Sequence, residues 1–256
     1  MIQVKDVVKS FDGNVVLNHI TATFEDGKVN MIIGQSGSGK TVLMKSMIGL
    51  HQIDGGEIIF DTRNGQQNLA GMSEKEMRML HREVGMLFQG AALFDSMTVQ
   101  ENVMYPLEMF SDMSRKDMVE RARFCLERVN MPERAFGLMP SEISGGMQKR
   151  VAIARAIALN PKYLFCDEPN SGLDPKTSLV IDDLIHGITQ EYNMTTIINT
   201  HDMNSVMGIG EHIIYIYEGE LEWTGTKHDV MSSTNERLTS FIFASDMLRK
   251  VRDANK

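Results

Sequence analysis

The feature that most constrains this chain is a glycine-rich segment, Gly34-Gln35-Ser36-Gly37-Ser38-Gly39-Lys40-Thr41. It matches the P-loop pattern in full and lies between an apolar, β-branched run and residues with helical spacing. The glycines let backbone N–H groups turn toward phosphate oxygens, and the start of the following helix adds partial positive charge. We expect Lys40 to reach the β- and γ-phosphates of a bound nucleotide and the Thr41 hydroxyl to bind Mg²⁺.

Composition excludes several other classes of protein. The chain is 42% apolar and 23% charged, which is typical of a folded globular protein. Its formal charge of −8 argues against a nucleic-acid partner, because phosphate backbones require a basic face. The cysteines, Cys125 and Cys166, are too few for a disulfide framework and suit a reducing compartment. With no apolar run long enough to span a bilayer and no signal peptide, we expect a chain that is cytoplasmic or is held at a membrane by another component.

The order of predicted elements indicates an α/β fold with an antiparallel sub-sheet near the N-terminus. Turn signals at Asp12-Gly13-Asn14 and Glu25-Asp26-Gly27 separate the first alternating runs. Later strands alternate with helices, which implies a parallel sheet with right-handed crossovers. Residues from about 90 to 147 instead show helical spacing, more charge and potential helix breakers at Pro106, Pro132 and Pro140. We interpret them as an inserted helical subdomain.

Individual elements follow from the same patterns. Ser73 and Glu76 form a candidate capping box for a helix from Met72 to Arg82. Later helices are predicted over Gln148–Leu159, Pro175–Tyr192 and Glu236–Lys250. Strands are predicted over Val29–Ile33, Gly55–Phe60, Val84–Phe88, Tyr163–Cys166, Thr195–Ile198, Ile213–Tyr217 and Leu221–Thr224.

Polar side chains at the ends of three predicted strands add candidate catalytic groups. Asp167 ends an apolar strand, where a carboxylate can hold Mg²⁺ through water. Glu168 follows directly and projects differently, which suits a general base acting on the attacking water. His201 follows a neighbouring strand and can meet the γ-phosphate, and Gln89 ends another and can sense the same phosphate or Mg²⁺.

The segment Ile143-Ser144-Gly145-Gly146-Met147-Gln148 completes the pattern. Ser144 can cap the following helix while the amides of Gly145 and Gly146 meet an anion. Alone, these residues indicate only a helix cap. Downstream of a P-loop and upstream of two carboxylates, they resemble the signature sequence of ABC transporter ATP-binding subunits, with Met147 in place of the usual glutamine.

The resemblance covers about residues 1–230, which we expect to form the ATPase domain, with a helical tail over 231–256. It implies an ABC ATPase fold with a RecA-like core and an enzyme that hydrolyses ATP with Mg²⁺. Two copies would face head to tail, so that each ATP meets one chain's P-loop and the other's Ser144 region. By family position, Phe11 would stack on adenine and Asp174 would cross the interface. The implied Mg²⁺ ligands are Thr41, Gln89 and Asp167, and the implied catalytic residues are Glu168, His201 and Gln89.

Residues Gln89–Val99 and the Met form of the signature are similar to the ATPases of Mla-type phospholipid transporters. This similarity implies a membrane-spanning permease docked in the groove near these residues, further lipid-binding partner proteins, and a position at the cytoplasmic face of the inner membrane. Phe94 suits either that groove or ordinary core, and Phe243 suits either a partner chain or the chain's own core. Transport of another substrate and a soluble ABC ATPase remain open, whereas the signature, Glu168 and His201 argue against a P-loop kinase or GTPase switch.

Overall fold

A computed structural model describes residues 1–243 of the chain. These residues belong to two compact units. Of the described residues, the first unit contains Met1–Gly71 and residues 199–243, and the second unit contains Met72–Ile198. The expected division into an ATPase domain over 1–230, an insertion near 90–147 and a tail over 231–256 stays a prediction.

The elements are numbered in chain order. The first unit begins with β1 (Ile2–Phe11), β2 (Asn14–Phe24), β3 (Val29–Ile33), α1 (Lys40–Met47), β4 (Gly55–Thr62) and β5 (Gly65–Asn68). The second unit follows with α2 (Glu74–Arg82), β6 (Val84–Leu87), α3 (Val99–Phe110), α4 (Arg115–Arg128), α5 (Gly145–Ala156), β7 (Tyr163–Asp167), α6 (Pro175–Tyr192) and β8 (Thr195–Asn199). The first unit resumes with α7 (Met203–Ile209), β9 (His212–Tyr217), β10 (Glu220–Gly225), α8 (Lys227–Ser232) and α9 (Glu236–Ile242).

The first unit contains an antiparallel sheet with the strand order β2-β1-β4-β5. The predicted turn between β1 and β2 is confirmed: Asp12 and Gly13 have φ values of 49° and 83°, the left-handed conformations that tight hairpins require. Apolar side chains such as Val4, Phe24 and Phe60 alternate inward and are buried. The predicted N-terminal antiparallel sheet is therefore confirmed.

Strand β3 positions the P-loop within the first unit. Every residue of β3 is buried, and the strand pairs in parallel with β9, which pairs antiparallel with β10. The loop from Gly34 to Gly39 leaves the carboxyl end of β3 and leads into α1. The strand–loop–helix context that the P-loop pattern requires is therefore present.

Strand β7 positions the acidic pair within the second unit. It lies between β6 and β8, and its register with β6 is parallel, from Val84 opposite Tyr163 to Leu87 opposite Cys166. All residues of β7 and β8 are buried, so Asp167 stands at the end of a wholly apolar run. The mixture of parallel and antiparallel pairing confirms the predicted α/β class.

Helices α3, α4 and α5 pack together in the second unit. Pro132 and Pro140 lie between α4 and α5, as expected of helix breakers, but the prediction for Pro106 is wrong because this residue lies inside α3. Thr98 and Glu101 form a capping box at the start of α3, and a buried apolar face runs along the helix. Together they offset the one backbone donor that proline removes.

Other boundaries agree closely with the patterns. The capping box of Ser73 and Glu76 and the bounds of α6 are confirmed. Helix α5 begins at Gly145 rather than at the predicted Gln148 because Ser144 caps it, and it ends at Ala156 rather than at the predicted Leu159. Strand β5 and helices α7 and α8 were not predicted, since each is short.

The final helix folds onto its own unit. Leu238, Ile242 and Phe243 are buried, and the Phe241 ring stacks on Tyr215 at 5.4 Å, which confirms the own-core interpretation. The predicted continuation of this helix to Lys250 lies outside the described residues. None of the helices in residues 1–243 is long and apolar enough to cross a membrane.

Both cysteines are buried thiols. Cys125 lies in α4 and Cys166 in β7. Burial raises the pKa of the Cys125 thiol to about 11, and it raises the pKa of the Cys166 thiol further. Neither thiol is activated, because a reactive cysteine requires a lowered pKa and exposure.

Candidate functional site

The backbone of the P-loop curves tightly between β3 and α1. Gly39 is the N-cap of α1 with φ of 103°, and a Cβ there would lie 2.9 Å from the Val16 carbonyl oxygen. A Cβ on Gly34 would lie 2.3 Å from the Ile216 carbonyl oxygen and 2.6 Å from Ser38 Oγ. Only glycine fits at either position, so the loop sequence follows from the closeness of its neighbours.

Lys40 lies across this loop. Its side chain is buried, and Nζ donates hydrogen bonds to the carbonyl oxygens of Gly34 at 2.8 Å and Gln35 at 2.9 Å. The ammonium group is thus held over the loop backbone at the start of α1, where the helix dipole is also positive. Two positive sources at one point make this loop a site for an anion.

The remaining P-loop groups fit a bound phosphate chain. Ser38 Oγ is buried without a hydrogen-bond partner among the described residues, an arrangement that a ligand oxygen would relieve. Gln35, Ser36 and Gly37 form the exposed tip of the loop, and Thr41 is half-buried at the first turn of α1. The loop therefore combines exposed backbone, a buried ammonium group and hydroxyl groups on one short segment.

Phe11 ends β1 as an accessible aromatic ring. Its side chain is 38% exposed, the His51 ring meets it edge-on at 5.3 Å, and Lys9 Nζ lies 5.1 Å from the ring centre. A face open to solvent is what stacking on a base requires. The sequence did not identify His51 or Lys9 as neighbours of this ring.

The segment containing His201 is attached to β3. The Thr200 N–H donates to the Ile32 carbonyl oxygen at 3.2 Å, and the Thr200 hydroxyl accepts from the Asp202 N–H at 3.0 Å. His201 itself is exposed. The structure thus places the predicted histidine beside the strand from which the P-loop begins, within the same unit.

Asp167 and Glu168 differ in backbone conformation. Asp167 is the buried last residue of β7, whereas Glu168 has φ of 47°, in the left-handed region that non-glycine residues rarely adopt. The backbone thus changes conformation between the two residues, and the different roles predicted for their carboxylates stay a prediction. A residue held in such a conformation depends on its surroundings, and these outliers concentrate at functional sites.

Lys149 supports the loop that follows Glu168, and sequence reasoning missed it. Its buried ammonium group donates to the Gln89 carbonyl oxygen and lies 3.5 Å from both the Glu168 carbonyl oxygen and Ser171 Oγ. Ser171 Oγ donates to the same Gln89 oxygen at 3.2 Å. Burial is the largest cause of a lowered Lys149 pKa. A charge inside the apolar stripe of α5 was the signal available in the sequence.

The turn after Gln89 is also held by a cation. Ala91 and Ala92 have φ values of 61° and 49°, and the Arg155 guanidinium donates to their carbonyl oxygens at 2.8 and 2.7 Å. The Gln89 side chain is exposed. The second unit therefore brings together the backbone of Gln89 and Glu168 and the side chain of Lys149 from α5.

The signature segment forms a helix start, as predicted. Ser144 is the N-cap of α5, and its exposed hydroxyl accepts from the Met147 N–H at 3.3 Å. A Cβ on Gly146 would lie 2.7 Å from Thr177 Cγ2 of α6, so this position admits only glycine without rearrangement. The amides of Gly145 and Gly146 lie in the first turn, where helix N–H groups have no partner within the helix.

Asp174 has a structural role that the sequence did not reveal. It is the exposed N-cap of α6, and its carboxylate accepts from the backbone N–H groups of Lys176 and Thr177 and from the Thr177 hydroxyl. The bond from the Thr177 hydroxyl is the largest cause of its lowered pKa. The predicted contact across an interface stays a prediction.

An apolar groove of about 470 Å³ lies between α2, α3, β6 and the end of α5 in the second unit. Phe94 is 39% exposed at its rim and packs against Tyr105 with ring centres 4.6 Å apart. Phe94 is thus partly exposed at the rim of the groove, which favours the groove interpretation over ordinary core. The lining also includes Phe88, Pro106, Phe110 and Arg155.

Comparison with known proteins identifies relatives along nearly the whole chain. The family model described as ABC transporter matches residues 17–171. The methionine import ATP-binding protein MetN of Clostridium acetobutylicum is 35% identical over 96% of this chain and 75% of the relative. The intermembrane phospholipid transport system ATP-binding protein MlaF of Haemophilus influenzae is 33% identical over 94% of this chain and 90% of the relative.

A solved structure supports the same assignment. The dimeric, post-hydrolysis ATP-binding cassette MJ0796 bound to ADP and Pi superposes with a TM-score of 0.80 at 32% identity. The match covers 89% of this chain and 99% of that structure. The predicted fold is therefore the one observed in a solved ATP-binding cassette.

Proposed function

We propose, from the premise that this chain belongs to the ABC transporter family, that it drives phospholipid transport between membranes of the cell envelope. The chain is an ATPase of this family, and ATP is its nucleotide. The P-loop is the main support for ATP binding, because glycine backbone and the buried Lys40 ammonium group line one short loop. Phospholipid as the transported substrate rests on separate observations.

The proposed roles divide between binding and catalysis. The loop Gly34–Gly39, Lys40 and Thr41 bind the phosphates, and Phe11 stacks on adenine. Glu168 accepts a proton from the attacking water, and His201 and Gln89 contact the reacting phosphate. Ser144, Gly145 and Gly146 contact the ATP of the opposite copy, with Asp174 at that interface.

Mg²⁺ is proposed as the metal partner of ATP. Thr41, Gln89 and Asp167 offer hydroxyl, amide and carboxylate oxygens, the ligand type that Mg²⁺ prefers. The described residues contain no cluster of three histidine, cysteine or acidic side chains. When bound, Mg²⁺ neutralises charge on the phosphates.

Replacing Glu168 with glutamine tests the ATPase mechanism. Because the amide keeps the shape but cannot take a proton, turnover should fall about 100-fold or more while ATP binding is preserved. The uncleaved ATP should then hold two copies together, measured by light scattering after gel filtration. Glu127→Gln, on the exposed face of α4, is the matched control. A monomer at saturating ATP would contradict the head-to-tail dimer.

A permease docked in the groove beside Phe94 is the proposed membrane partner. The exposed aromatic rim and the apolar lining suit a short helix contributed by a membrane-spanning subunit. Further lipid-binding proteins would then join through that subunit. A soluble ABC ATPase would instead purify without any membrane protein.

Two observations support phospholipid as the substrate. Residues Gln89–Val99 and Met147 are similar to the corresponding residues of Mla-type ATPases, and a phospholipid-transport relative matches most of the chain. The second candidate is methionine import, favoured by relatives at 33–35% identity that carry this name. Mass spectrometry of small molecules that co-purify with the chain and its membrane partner separates the two: bound phospholipid supports the first and bound methionine the second.

A further inference from the structure

A buried lysine on the helix after the signature segment has no role in the proposed chemistry. Lys149 is 5% exposed and shares the buried face of α5 with Ala152 and Ile153. Burying an ammonium group is costly unless it is paired or hydrogen-bonded. The ammonium group of Lys149 therefore needs hydrogen-bond acceptors inside the second unit.

The acceptors of Lys149 come from two other segments of the second unit. The Gln89 carbonyl oxygen lies 60 residues away in sequence, and the Glu168 carbonyl oxygen and Ser171 Oγ lie 19 and 22 residues away. A lysine has three donors, and here three oxygens surround it. One cation thus links α5, the turn at Gln89 and the loop after Asp167.

Glu168 has a backbone conformation that depends on such contacts. Its φ of 47° is a conformation that costs on the order of 1–3 kcal/mol and persists only where neighbouring groups hold it. The Glu168 carbonyl oxygen also accepts from the Ser171 N–H at 3.1 Å, which closes a turn over the lysine. Lys149 and Ser171 therefore hold the two ends of that turn against the Gln89 carbonyl oxygen.

We propose that Lys149 is a positioning residue that fixes the Glu168 carboxylate and the Gln89 turn in their catalytic arrangement and ties both to the signature helix. This inference rests on the proposed function, since it assigns Glu168 to the reaction. A positioning role affects the chemical step and leaves the phosphate contacts of the P-loop unchanged. It therefore predicts a change in kcat without a matching change in KM for ATP.

The test replaces Lys149 with methionine, whose unbranched side chain is one heavy atom shorter and lacks the charge and the donors. We expect kcat to fall by roughly tenfold to a hundredfold, the effect of misplacing a catalytic group by about 1 Å. KM for ATP should stay within about twofold of the wild type. Lys149→Arg keeps the charge and donors and should recover most of the lost kcat, which a purely space-filling role would not produce. Lys116→Met, whose side chain is 84% exposed on α4, is the control.

Unchanged kcat in a folded Lys149→Met variant overturns the inference, as does an equal loss in Lys149→Arg. If Lys149→Met does not fold, Ser171→Ala decides, because it removes one hydrogen bond of the same cluster. We expect a loss in kcat of roughly twofold to tenfold, and no loss overturns the inference. If Glu168→Gln abolishes turnover and Lys149→Met preserves it, this inference is wrong and the proposed function is unaffected. A wild-type chain without turnover defeats the proposed function.

Discussion

Two buried lysines, one in each unit, hold backbone carbonyl groups in different ways. Lys40 donates to carbonyl oxygens six and five residues before it, within one loop. Lys149 donates to carbonyl groups 60 and 19 residues away, on two separate segments. The first arrangement is complete within a short stretch of sequence, whereas the second exists only once the second unit has folded.

This difference separates substrate binding from the assembly of the catalytic groups. Because Lys40 is held by carbonyl groups of its own loop, a change of this residue should act on nucleotide affinity. In the second unit, Lys149 of α5 instead contacts the segments that follow β6 and β7, and changes there should act on turnover and on fold stability together. Three substitutions test this difference.

The largest effect is expected for Lys40→Ala. Losing a buried cation beside the phosphates should weaken ATP binding by about 1.5–3 kcal/mol, roughly tenfold to hundredfold in Kd. Titration calorimetry with ATP measures it, and Lys45→Ala in the last turn of α1 is the control. An unchanged Kd would remove Lys40 from the phosphate site and end the contrast between binding and assembly.

Ser144→Ala should have a dual effect. Removing the N-cap of α5 should lower the free energy of unfolding by about 1 kcal/mol. Ser114→Ala, which removes the corresponding cap from α4, should destabilise by a similar amount. Only Ser144→Ala should also slow ATP turnover and weaken ATP-dependent dimerisation. Equal turnover in the two variants would reduce Ser144 to a helix cap.

The smallest effect concerns acid stability at Asp174. Its pKa in the folded chain lies below the ordinary 3.8, chiefly because the Thr177 hydroxyl donates to the carboxylate. A lowered folded pKa gives stability that is present above pH 3.8 and lost as pH falls through the folded value. Asp174→Asn keeps a good N-cap without titrating, so its melting temperature should drop less between pH 7 and pH 3. Asp183→Asn on the same helix is the control, and equal drops would contradict the assignment.

Most of the fold could be predicted from local patterns. The bounds of β3 and α6, the capping box at Ser73 and the hairpin at Asp12 all depend on residues close in sequence. Pro106 shows the limit of such reasoning, because a capped helix with a buried face tolerates one missing hydrogen bond. Packing between distant segments decided that outcome.

The candidate site shows the same division between local contacts and contacts that are distant in sequence. The P-loop is contiguous, so its spacing alone predicts that Lys40 contacts phosphate and that Thr41 binds the metal. Lys149 contacts segments 60 and 19 residues away, and no spacing in the sequence predicts these contacts. A charged residue on an otherwise apolar helix stripe could have marked it as a group with buried partners.

The burial of both native thiols has a practical consequence for distance measurements. A maleimide reagent needs an exposed thiolate, and neither Cys125 nor Cys166 offers one. A single cysteine introduced on the exposed surface should therefore take up a spin label or dye selectively. Two labelled copies would then report their separation as ATP is added and consumed, with every original residue of the pocket retained.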